Sequence, residues 1–457
     1  MISSNAPHIL FVNPWIHDFA AFDFWARPMG LMQLVSIVRS QGMHVSYIDC
    51  LNRFHPNADN LPSKKFRYGR GAYIKTQIPK PKKLASFPRK YSRYGILPEW
   101  FVHDLKVMHK PDVIMITSIM TYWYPGVQET IHYIRTVFKD VPIVLGGIYV
   151  RLCLSHAKKY MDADILVSDP GELVILKIIE QQTGFQSKLQ FDIQQLDTFP
   201  YPAWDLQNKI PFVPLLTTRG CPFRCDYCAS GFLEKQIRRR SIDHVCEEIL
   251  YWYQKFHVRD FVFYDDALLY QSEKFAIPLL EKIISHKLPI RFHTPNAIHI
   301  REITEPVAKL LHASGFKNLR MGLETMDFKH RMDHKLTFSE FDKAINNLKN
   351  AGFQSKDLGA YLLIGLPEQK RESINASIDC VKESGVKPIL AYYTPIPHTK
   401  LWTKAVELSP FAIAQDPIYT NNTIFPCQPK GLDWKELSEY QSRTKSMNGV
   451  SKNVVSN

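Results

Sequence analysis

The stretch LLTTRGCPFRCDYCASGF, residues 215–232, places three cysteines within eight positions. They are Cys221, Cys225 and Cys228, and their spacing is C-x3-C-x2-C. A structural zinc site normally takes four ligands, commonly as two CxxC pairs, and disulfides need an even number of cysteines. The nearest further cysteine, Cys246, falls in a predicted helix and makes no second pair. The odd count therefore disfavours both kinds of site.

Three thiolates can instead hold a cluster of four irons in which one iron has no protein ligand. That iron can bind a small molecule and pass an electron to it. The sequence therefore predicts a [4Fe–4S] cluster with Cys221, Cys225 and Cys228 as its protein ligands. An open fourth position indicates an enzyme rather than a structural centre.

The composition is that of a globular protein with two or three domains. A chain of 457 residues is too long for one ordinary core. It is 45% hydrophobic and 12% aromatic, as is typical of a globular protein. No apolar run approaches the ~20 residues that cross a bilayer, and the N-terminus does not resemble a signal peptide, so we expect a cytoplasmic protein without a membrane segment. The irregular spacing of the other cysteines predicts buried free thiols in a reducing compartment. These cysteines are Cys50, Cys153, Cys246, Cys380 and Cys427.

Most of the net charge of +13 comes from one segment. Between Lys64 and Arg93 the chain carries eleven Lys or Arg residues and no acidic residue, together with five aromatic residues. Such a segment can bind phosphate, RNA or an acidic partner. It can equally be a solvated loop that folds over the face of a domain, and we favour this second interpretation.

The first part of the chain alternates short apolar runs with amphipathic stretches. This pattern predicts βαβ units and a parallel sheet with helices on both faces, as in a flavodoxin-like, Rossmann-type domain. We expect this domain over residues 1–184, with the basic insertion at about 52–100. The predicted strands are 8–13, 44–49, 112–118, 141–147 and 163–169, and a last helix begins at Gly171.

A linker without sustained periodicity follows at residues 185–210, and a second, longer alternation then begins. Six βα units without a doubly wound switch predict a partial (β/α)6, TIM-like barrel over 211–400, followed by a C-terminal extension over 401–457. In such barrels the chemistry lies on loops after the strands. The predicted strands are 213–218, 260–265, 289–294, 318–324, 359–365 and 388–394.

The cysteine motif resembles the signature of the radical S-adenosylmethionine (SAM) superfamily. CPFRCDYC fits the CxxxCxΦC pattern, with Tyr227 as the aromatic residue before the last cysteine. The resemblance covers about residues 210–400. It implies that SAM binds the open iron and is cleaved reductively to a 5′-deoxyadenosyl radical, which abstracts hydrogen from a substrate.

Later strand ends are also similar to those of the superfamily. In FVFYDDALL, the resemblance makes Asp265 and Asp266 candidates for binding the SAM amino group, and it assigns this role to Asp265. Asp266 fits the role of a helix cap as well as that of a ligand. The resemblance assigns Glu324, in RMGLETMD, to the SAM ribose, and YLLIGLPEQ to packing against adenine. In YYTPIPHTKLW, His398 stands where relatives have glycine.

The third strand departs more from the superfamily pattern. Relatives often carry an arginine near its end, whereas this chain reads FHTPNAIHIRE. One polar residue of this segment could contact substrate, although we expect most of them to make loop hydrogen bonds or to face solvent. The four candidates are His293, Asn296, His299 and Arg301.

The first domain resembles the cobalamin-binding domain of one radical SAM subgroup. Ser118, at the start of the domain's SxL-like motif, and the pair Gly146 and Gly147 would admit the nucleotide tail of cobalamin between strand ends. They could equally be ordinary strand ends. The histidine loop DxHxxG is absent, so we do not assign His17 as an axial ligand. Aromatic residues of this loop could cover the cobalt or fill the gap between domains; they are Trp15, Phe19, Phe22, Phe24 and Trp25.

The sequence therefore predicts a radical SAM enzyme, with cobalamin-dependent methyl transfer as one reaction. The alternative is a cobalamin-free rearrangement, oxidation or C–S bond formation. A third hypothesis, which we regard as minor, is an RNA-binding protein with a structural metal. We expect a small-molecule or peptide substrate and an electron donor such as flavodoxin or ferredoxin, and we do not expect nucleic acid as a partner.

Overall fold

The computed structural model describes residues 6–58, 67–333, 336–427 and 434–445. They form two compact units with an α/β fold, and the predicted fold class is confirmed at that level. The first unit comprises the described residues between Met1 and Pro214 together with Ile413–Ile424. The second comprises the described residues of Leu215–Ala412 and Phe425–Asn457. The division falls at 214, four residues after the predicted linker, and part of the predicted C-terminal extension belongs to the first unit.

Parallel strands form the main sheet of the first unit. The strands of this unit are β1 (His8–Asn13), β2 (Ile16–Asp18), β3 (His44–Asp49), β4 (Lys75–Gln77), β5 (Ser92–Tyr94), β6 (Val113–Ile116), β7 (Ile143–Leu145) and β8 (Ile165–Leu166). The main sheet has the order β3-β1-β6-β7-β8, and all four of its pairings are parallel. All five predicted strands are present, and β1 and β3 have the predicted bounds. The central strands are buried because helices cover a parallel sheet on both faces.

Helices connect these strands in the order that the sequence predicts. They are α1 (Met29–Ser40), α2 (Pro98–Val107), α3 (Tyr124–Val137), α4 (Ile148–Leu152), α5 (Leu154–Tyr160) and α6 (Gly171–Thr183). Apolar residues at helical spacing in α1 are buried, for example Leu31, Val35 and Val38. The segment predicted as a linker packs on α1, where the Ala203 amide donates to the Met32 carbonyl over 3.1 Å.

A small antiparallel sheet that the sequence did not predict lies beside the main sheet. Its order is β2-β5-β4, so the loop after β1 pairs with the basic insertion. Three-residue strands give too few alternations to produce a readable period, and their partners are far away in sequence. The residues Lys64, Lys65 and Phe66 of the basic segment lie outside the described residues.

The second unit also contains parallel strands joined by helices. Its strands are β9 (Val213–Leu215), which begins two residues before the boundary between the units, β10 (Thr218–Arg219), β11 (Arg238–Arg239), β12 (Asp260–Phe263), β13 (Arg291–His293), β14 (Leu319–Glu324), β15 (Leu358–Ile364) and β16 (Lys387–Tyr392). They form two three-stranded sheets, β13-β12-β9 and β14-β15-β16, and an antiparallel pair, β10-β11. Isolated parallel bridges, Phe292 with Phe316 and Ile298 with Met321, lie between β13 and β14.

The helices of the second unit differ in how clearly their ends are marked. They are α7 (Ser230–Leu233), α8 (Ile242–Phe256), α9 (Ala276–Ser285), α10 (Glu305–Ala313), α11 (Phe338–Asn350), α12 (Arg371–Glu383), α13 (Trp402–Leu408) and α14 (Trp434–Lys445). In α8, the Ser241 side chain accepts the His244 amide, and His257 closes the helix in the left-handed conformation. Among the described residues, no helix has the length and apolar character needed to cross a membrane.

Candidate active site

The cysteine loop is closed at its base by the pairing of β10 with β11. Thr218 faces Arg239 and Arg219 faces Arg238 in that pair, so residues 220–237 form a loop with fixed ends. Gly220, directly before Cys221, has φ +83°, and a Cβ there would lie 2.6 Å from the Gln236 carbonyl oxygen. Only glycine fits this close approach, which turns the chain into the loop.

The three cysteines lie on this loop, form no disulfide and differ in exposure. Cys225 is buried, Cys221 is half-buried and Cys228 is exposed. Asp226, between them, anchors the loop through its backbone. Its amide donates to the Met332 carbonyl over 3.0 Å, and its carbonyl accepts from the Leu401 amide over 2.9 Å.

The candidate donor set is three cysteine thiols, the ligand type that iron–sulfur clusters take. Among the described residues, no three Cys, His, Asp or Glu side chains form a group that could hold a metal ion. A single ion needs all its ligands on one atom, whereas a four-iron cluster spreads its thiolates over different irons. Cys221, Cys225 and Cys228 therefore supply the right chemistry for three corners of a cluster, and their assignment as its ligands stays a prediction.

Ser230 connects the exposed thiol to the end of β12. The Ser230 amide donates to Cys228 Sγ over 3.4 Å, and its hydroxyl, 3.3 Å from the same sulfur, donates to Asp266 Oδ2 over 2.9 Å. The Cys228 thiol itself donates to the Ser230 hydroxyl, so Ser230 links the exposed cysteine to Asp266. Asp266 is exposed and borders the cysteine loop, so of the two aspartates it is the one available to a ligand.

Asp265 is instead a buried structural acceptor. Its carboxylate accepts the amides of Thr217 and Thr218 at 3.1 and 2.6 Å and the Thr217 hydroxyl at 2.6 Å. These bonds tie the end of β12 to the chain between β9 and β10. Burial nevertheless dominates, and it raises the pKa of Asp265 to about 6. Its predicted contact with the SAM amino group stays a prediction.

We expect Asp265 to make stability depend on pH. Because its pKa is raised in the folded state, the stability it contributes is present at low pH and is lost as pH rises through about 6. Between pH 4.5 and 7.5 the wild type should lose roughly 2 kcal/mol relative to Asp265→Asn. Urea unfolding of both proteins across this range measures the difference. Parallel pH profiles for the two proteins would contradict the raised pKa.

Glu324 and Tyr227 lie close to each other, although the sequence separates them by almost a hundred residues. Glu324 ends β14 after a register shift between Gly322 and Glu324, and its φ is +63°. Burial raises the pKa of Tyr227, and the charges of Glu324, Cys225 and Asp333 raise it further. The charge of the predicted ribose ligand therefore acts on the aromatic residue of the cysteine motif.

The segment predicted to pack against adenine forms a closed turn after β15. Leu362 and Ile364 are buried. The Gln369 side chain accepts the Gly365 amide over 2.8 Å and donates to the Leu363 carbonyl over 2.7 Å. The turn is thus held by its own side chain, and its contact with adenine stays a prediction.

The four polar candidates after β13 have different environments. His293 is buried and bonded to Asp260 over 2.8 Å, the Asn296 side chain donates to the Tyr264 carbonyl over 2.7 Å, and Arg301 pairs with Glu340. These three contacts are structural. His299 differs, because its ring stacks on Phe223 of the cysteine loop with centroids 4.2 Å apart.

His398 has a backbone conformation that explains the glycine of the superfamily pattern. Its φ is +67°, which glycine adopts without cost. The imidazole stacks on Phe232, which follows the third cysteine, with centroids 4.1 Å apart and planes within 4°. Next to it, Lys400 pairs with Asp226 over 3.2 Å. The turn after β16 is therefore packed against the cysteine loop.

We expect His398→Gly to be more stable than His398→Ala by about 1 kcal/mol. Both variants lose the stack on Phe232, but alanine keeps the cost of a positive φ and glycine removes it. Urea unfolding of the two variants measures the difference. An alanine variant as stable as the glycine variant would mean that the turn relaxes to a negative φ.

In the first unit, Ser118, Gly146 and Gly147 lie together at the ends of β6 and β7. The Ser118 hydroxyl donates to the Gly146 carbonyl over 2.6 Å. Gly147 has φ +95°, and a Cβ there would lie 2.3 Å from the Ser118 carbonyl oxygen. A Cβ on Gly146 would meet only Val167, at an ordinary 3.6 Å. The fold therefore requires glycine at 147 and leaves space at 146.

The loop after β1 is mostly packed into the first unit. His17 is bonded to Glu129 over 2.7 Å, and Glu129 also binds Arg93. Among the aromatic residues that the sequence proposed for covering the cobalt, Phe22 and Phe24 are exposed, with ring centroids 4.6 Å apart. The other three are buried in the first unit: Trp15, Phe19 and Trp25.

The basic insertion is a folded part of the first unit, in line with the favoured interpretation. Many of its cations lie over aromatic rings, for example Arg70 over Trp25 at 5.0 Å. Lys83 pairs with Asp416 of the returning segment 413–424. Side chains used in this way stabilise the unit and cover apolar rings.

The five other cysteines are free and do not gather into a second site. Cys50, Cys246 and Cys427 are buried, and the remaining two, Cys153 and Cys380, are half-buried. Burial raises the pKa of Cys246 to about 11 and that of Cys153 to about 12. They are therefore thiols at neutral pH, as predicted for structural cysteines.

Sequence reasoning did not identify several residues around the cysteine loop. Ser230, Phe223 and Phe232 lie in or beside the motif, and their position in the chain could have indicated them. Arg331, which binds carbonyls on both sides of Glu324, gives no sequence signal of that kind.

Comparison with known proteins supports the assignment of the second unit. Residues 215–381 match the Radical SAM superfamily. An uncharacterized methyltransferase of Pyrococcus horikoshii is 25% identical over 326 residues, which cover 65% of this chain and 70% of that protein. The cytidylyl-2-hydroxyethylphosphonate methyltransferase of Streptomyces wedmorensis is 20% identical, with 82% and 77% covered.

A solved structure is similar over most of the chain. It is the radical SAM methyltransferase TsrM of Kitasatospora setae, solved with cobalamin and a [4Fe–4S] cluster. The TM-score is 0.63 and the identity 15%, and the similarity covers 88% of this chain and 75% of TsrM.

The chain therefore carries a radical SAM domain. The predictions of a radical SAM enzyme, of a [4Fe–4S] cluster and of SAM are confirmed by the superfamily match over the cysteine motif and the strands that follow it.

Proposed function

We propose that this protein is a cobalamin-dependent radical SAM methyltransferase that methylates an unactivated carbon. The similarity to TsrM over 88% of the chain carries the proposal, because it extends over both units and not only over the radical SAM domain. Relatives named as methyltransferases support the same reaction. A cobalamin-free enzyme would not need the first unit for its chemistry.

The strand order of each unit supports this architecture. In the main sheet of the first unit, the strands follow the order 2-1-3-4-5, which is the order of flavodoxin-like domains. We assign this unit as the cobalamin-binding domain. In the second unit, six strands follow one another in chain order, with bridges between β13 and β14. We assign it as a partial (β/α)6 barrel with the cysteine loop after its first strand.

The residues at the strand ends fit the two organic cofactors. Bound SAM and cobalamin supply a sulfonium that can be cleaved reductively and a carrier for the methyl group. We assign Cys221, Cys225 and Cys228 to the cluster. Glu324 and Asp266 offer carboxylates to the hydroxyl and amino groups of SAM.

For cobalamin, the space beside Gly146 is the feature that fits. Ser118 and Gly147 are tied to each other by close backbone contact, whereas the missing side chain at 146 leaves a half-buried surface at a strand end. Ligands of open parallel sheets bind at such carboxyl ends. His17 is bonded to Glu129, so we assign no axial histidine from this loop.

The substrate and partners follow from the class of reaction. We propose a small-molecule or peptide substrate and a low-potential electron donor such as flavodoxin or ferredoxin, in the reducing environment of the cytoplasm. TsrM has been solved with tryptophan, and another relative is named for a cytidylyl phosphonate. These two molecules belong to different chemical classes.

Anaerobic reconstitution tests the proposal. The protein is loaded with iron and sulfide and then equilibrated with hydroxocobalamin, and unbound corrinoid is removed. We expect bound corrinoid near one equivalent by absorption, and transfer of label from methyl-labelled SAM to the bound corrinoid under reducing conditions. Cluster loading and SAM cleavage without any bound corrinoid would favour the cobalamin-free alternative.

A further inference from the structure

We propose that Arg331 is a positioning residue that holds Glu324 and the cysteine loop in the arrangement that binds SAM. The inference rests on the proposed role of Glu324 toward SAM. Arg331 lies outside the strand-end motifs, on the segment between β14 and α11. Its side chain binds the backbone around Glu324, and its neighbour Met332 binds the cysteine loop.

The first contact is with the backbone on both sides of Glu324. Arg331 Nη1 donates to the Leu323 carbonyl over 2.8 Å and to the Thr325 carbonyl over 2.7 Å. Glu324, between these carbonyls, has a positive φ and follows a register shift in β14. A non-glycine residue keeps such a conformation only where its surroundings enforce it. Two bonds from one guanidinium nitrogen provide that enforcement.

The second contact fixes the guanidinium itself. Arg331 Nε and Nη2 donate to the two carboxylate oxygens of Asp333 over 3.0 and 2.8 Å. The side chains of this pair are 3% and 1% exposed. The Phe328 ring lies 5.2 Å from the guanidinium carbon. Asp333 therefore neutralises the buried charge of Arg331 and orients the guanidinium plane. Nη1 of Arg331 remains directed at the carbonyls of Leu323 and Thr325.

The third contact reaches the cysteine loop. Met332, between the two members of the pair, accepts the Asp226 amide over 3.0 Å, and Asp226 lies between Cys225 and Cys228. Residues 331–333 thus connect the turn at Glu324 to the loop that carries the cluster ligands. A displacement of this segment would move the carboxylate and the cysteines relative to each other.

Lysine cannot replace this arrangement. Its ammonium group has three donors on one atom and no planar fork, so it cannot bind both oxygens of Asp333 and both carbonyls at the same time. Arg331→Lys keeps the charge that Asp333 needs, and it is therefore the decisive variant. Arg331→Met removes the charge and the donors together.

The experiment measures SAM affinity separately from stability. Wild type, Arg331→Lys, Arg331→Met, Glu324→Gln and the double variant Glu324→Gln/Arg331→Lys are reconstituted anaerobically. Iron and sulfide content, the thermal midpoint, the Kd for SAM by equilibrium dialysis and the change that SAM causes in the EPR spectrum of the reduced cluster are compared. The matched control is Arg53→Met, a buried arginine of the first unit that binds Asp23 and the Gly69 carbonyl.

We expect both Arg331 variants to keep the cluster and to bind SAM about 10–100-fold more weakly. The SAM-induced EPR change should be reduced in the same variants. If Arg331 acts through Glu324, the double variant should bind SAM no more weakly than Glu324→Gln alone. Arg53→Met should lower the thermal midpoint and leave SAM affinity unchanged.

Two results would overturn the inference. One is an Arg331→Lys variant that binds SAM within twofold of wild type while Glu324→Gln does not. The other is failure of both Arg331 variants to fold, which would assign the residue to folding alone. If the reconstituted wild type itself did not bind SAM, the proposed function would fail instead, so the two failures are distinguishable.

Discussion

Replacement of Cys225 by alanine is expected to remove the cluster and, with it, the cleavage of SAM. Cys225 is the middle and most buried cysteine of the loop, and no further cysteine of the motif can replace it. A four-iron cluster with two protein thiolates has two unsupported irons. Loss of an outer partner of a metal ligand alone costs about 10–100-fold, so loss of a ligand should lower 5′-deoxyadenosine formation by at least ~100-fold.

Iron and sulfide content, the absorption of the cluster and 5′-deoxyadenosine after reduction measure this effect. Cys246→Ala is the matched control, because Cys246 is also buried but lies in α8. It should keep both the cluster and the activity. A Cys225→Ala protein with wild-type iron content and undiminished cleavage of SAM would exclude the cysteine loop as the cluster site.

Gly147→Ala is expected to destabilise the protein by roughly 3 kcal/mol, because its new side chain meets both strain and a clash. The backbone has φ +95°, and the added Cβ would lie 2.3 Å from the Ser118 carbonyl oxygen and 2.6 Å from its nitrogen. Neither atom belongs to a flexible side chain, so the strand ends themselves must move. Thermal and urea unfolding measure the loss.

Gly146→Ala is the matched variant one residue earlier. Its Cβ would meet only Val167 at ordinary contact distance, so stability should change by less than about 1 kcal/mol. If the space beside residue 146 receives cobalamin, this variant should nevertheless bind corrinoid more weakly. Equal destabilisation by both substitutions would contradict the predicted difference in stability between the two variants. Unchanged corrinoid binding in Gly146→Ala would remove Gly146 from the proposed cobalamin site.

Most regular elements could be predicted because their period is local. β1 and β3 have the bounds that the sequence indicates. β1 is a continuous apolar run, which is typical of a buried parallel strand, whereas β3 is a half-buried strand at the edge of the sheet. β2, β4 and β5 were missed because they are short and lie outside the alternation of strands and helices that identified the other strands. Their partners, such as Ile16 and Tyr94, lie far apart in the chain.

The roles of individual polar residues were harder to predict. Adjacent Asp265 and Asp266 look alike in the sequence, yet the first is buried against Thr217 and Thr218 and the second is exposed beside Ser230. Similarly, His299 contacts the cysteine loop while His293 is bonded to Asp260 inside the unit. No periodic pattern in the sequence distinguishes the environments of the two members of such a pair.

The sequence by itself determined the ligand chemistry, because it fixes three cysteines within eight residues and an odd number leaves one iron open. Only the tertiary structure decided which side chains surround that loop. Met332, His398 and Leu401 reach it through contacts between residues that are distant in the chain. The covalent chain fixes the type of each ligand and the spacing between ligands. The partner of a hydrogen bond depends instead on tertiary packing, which involves the whole unit.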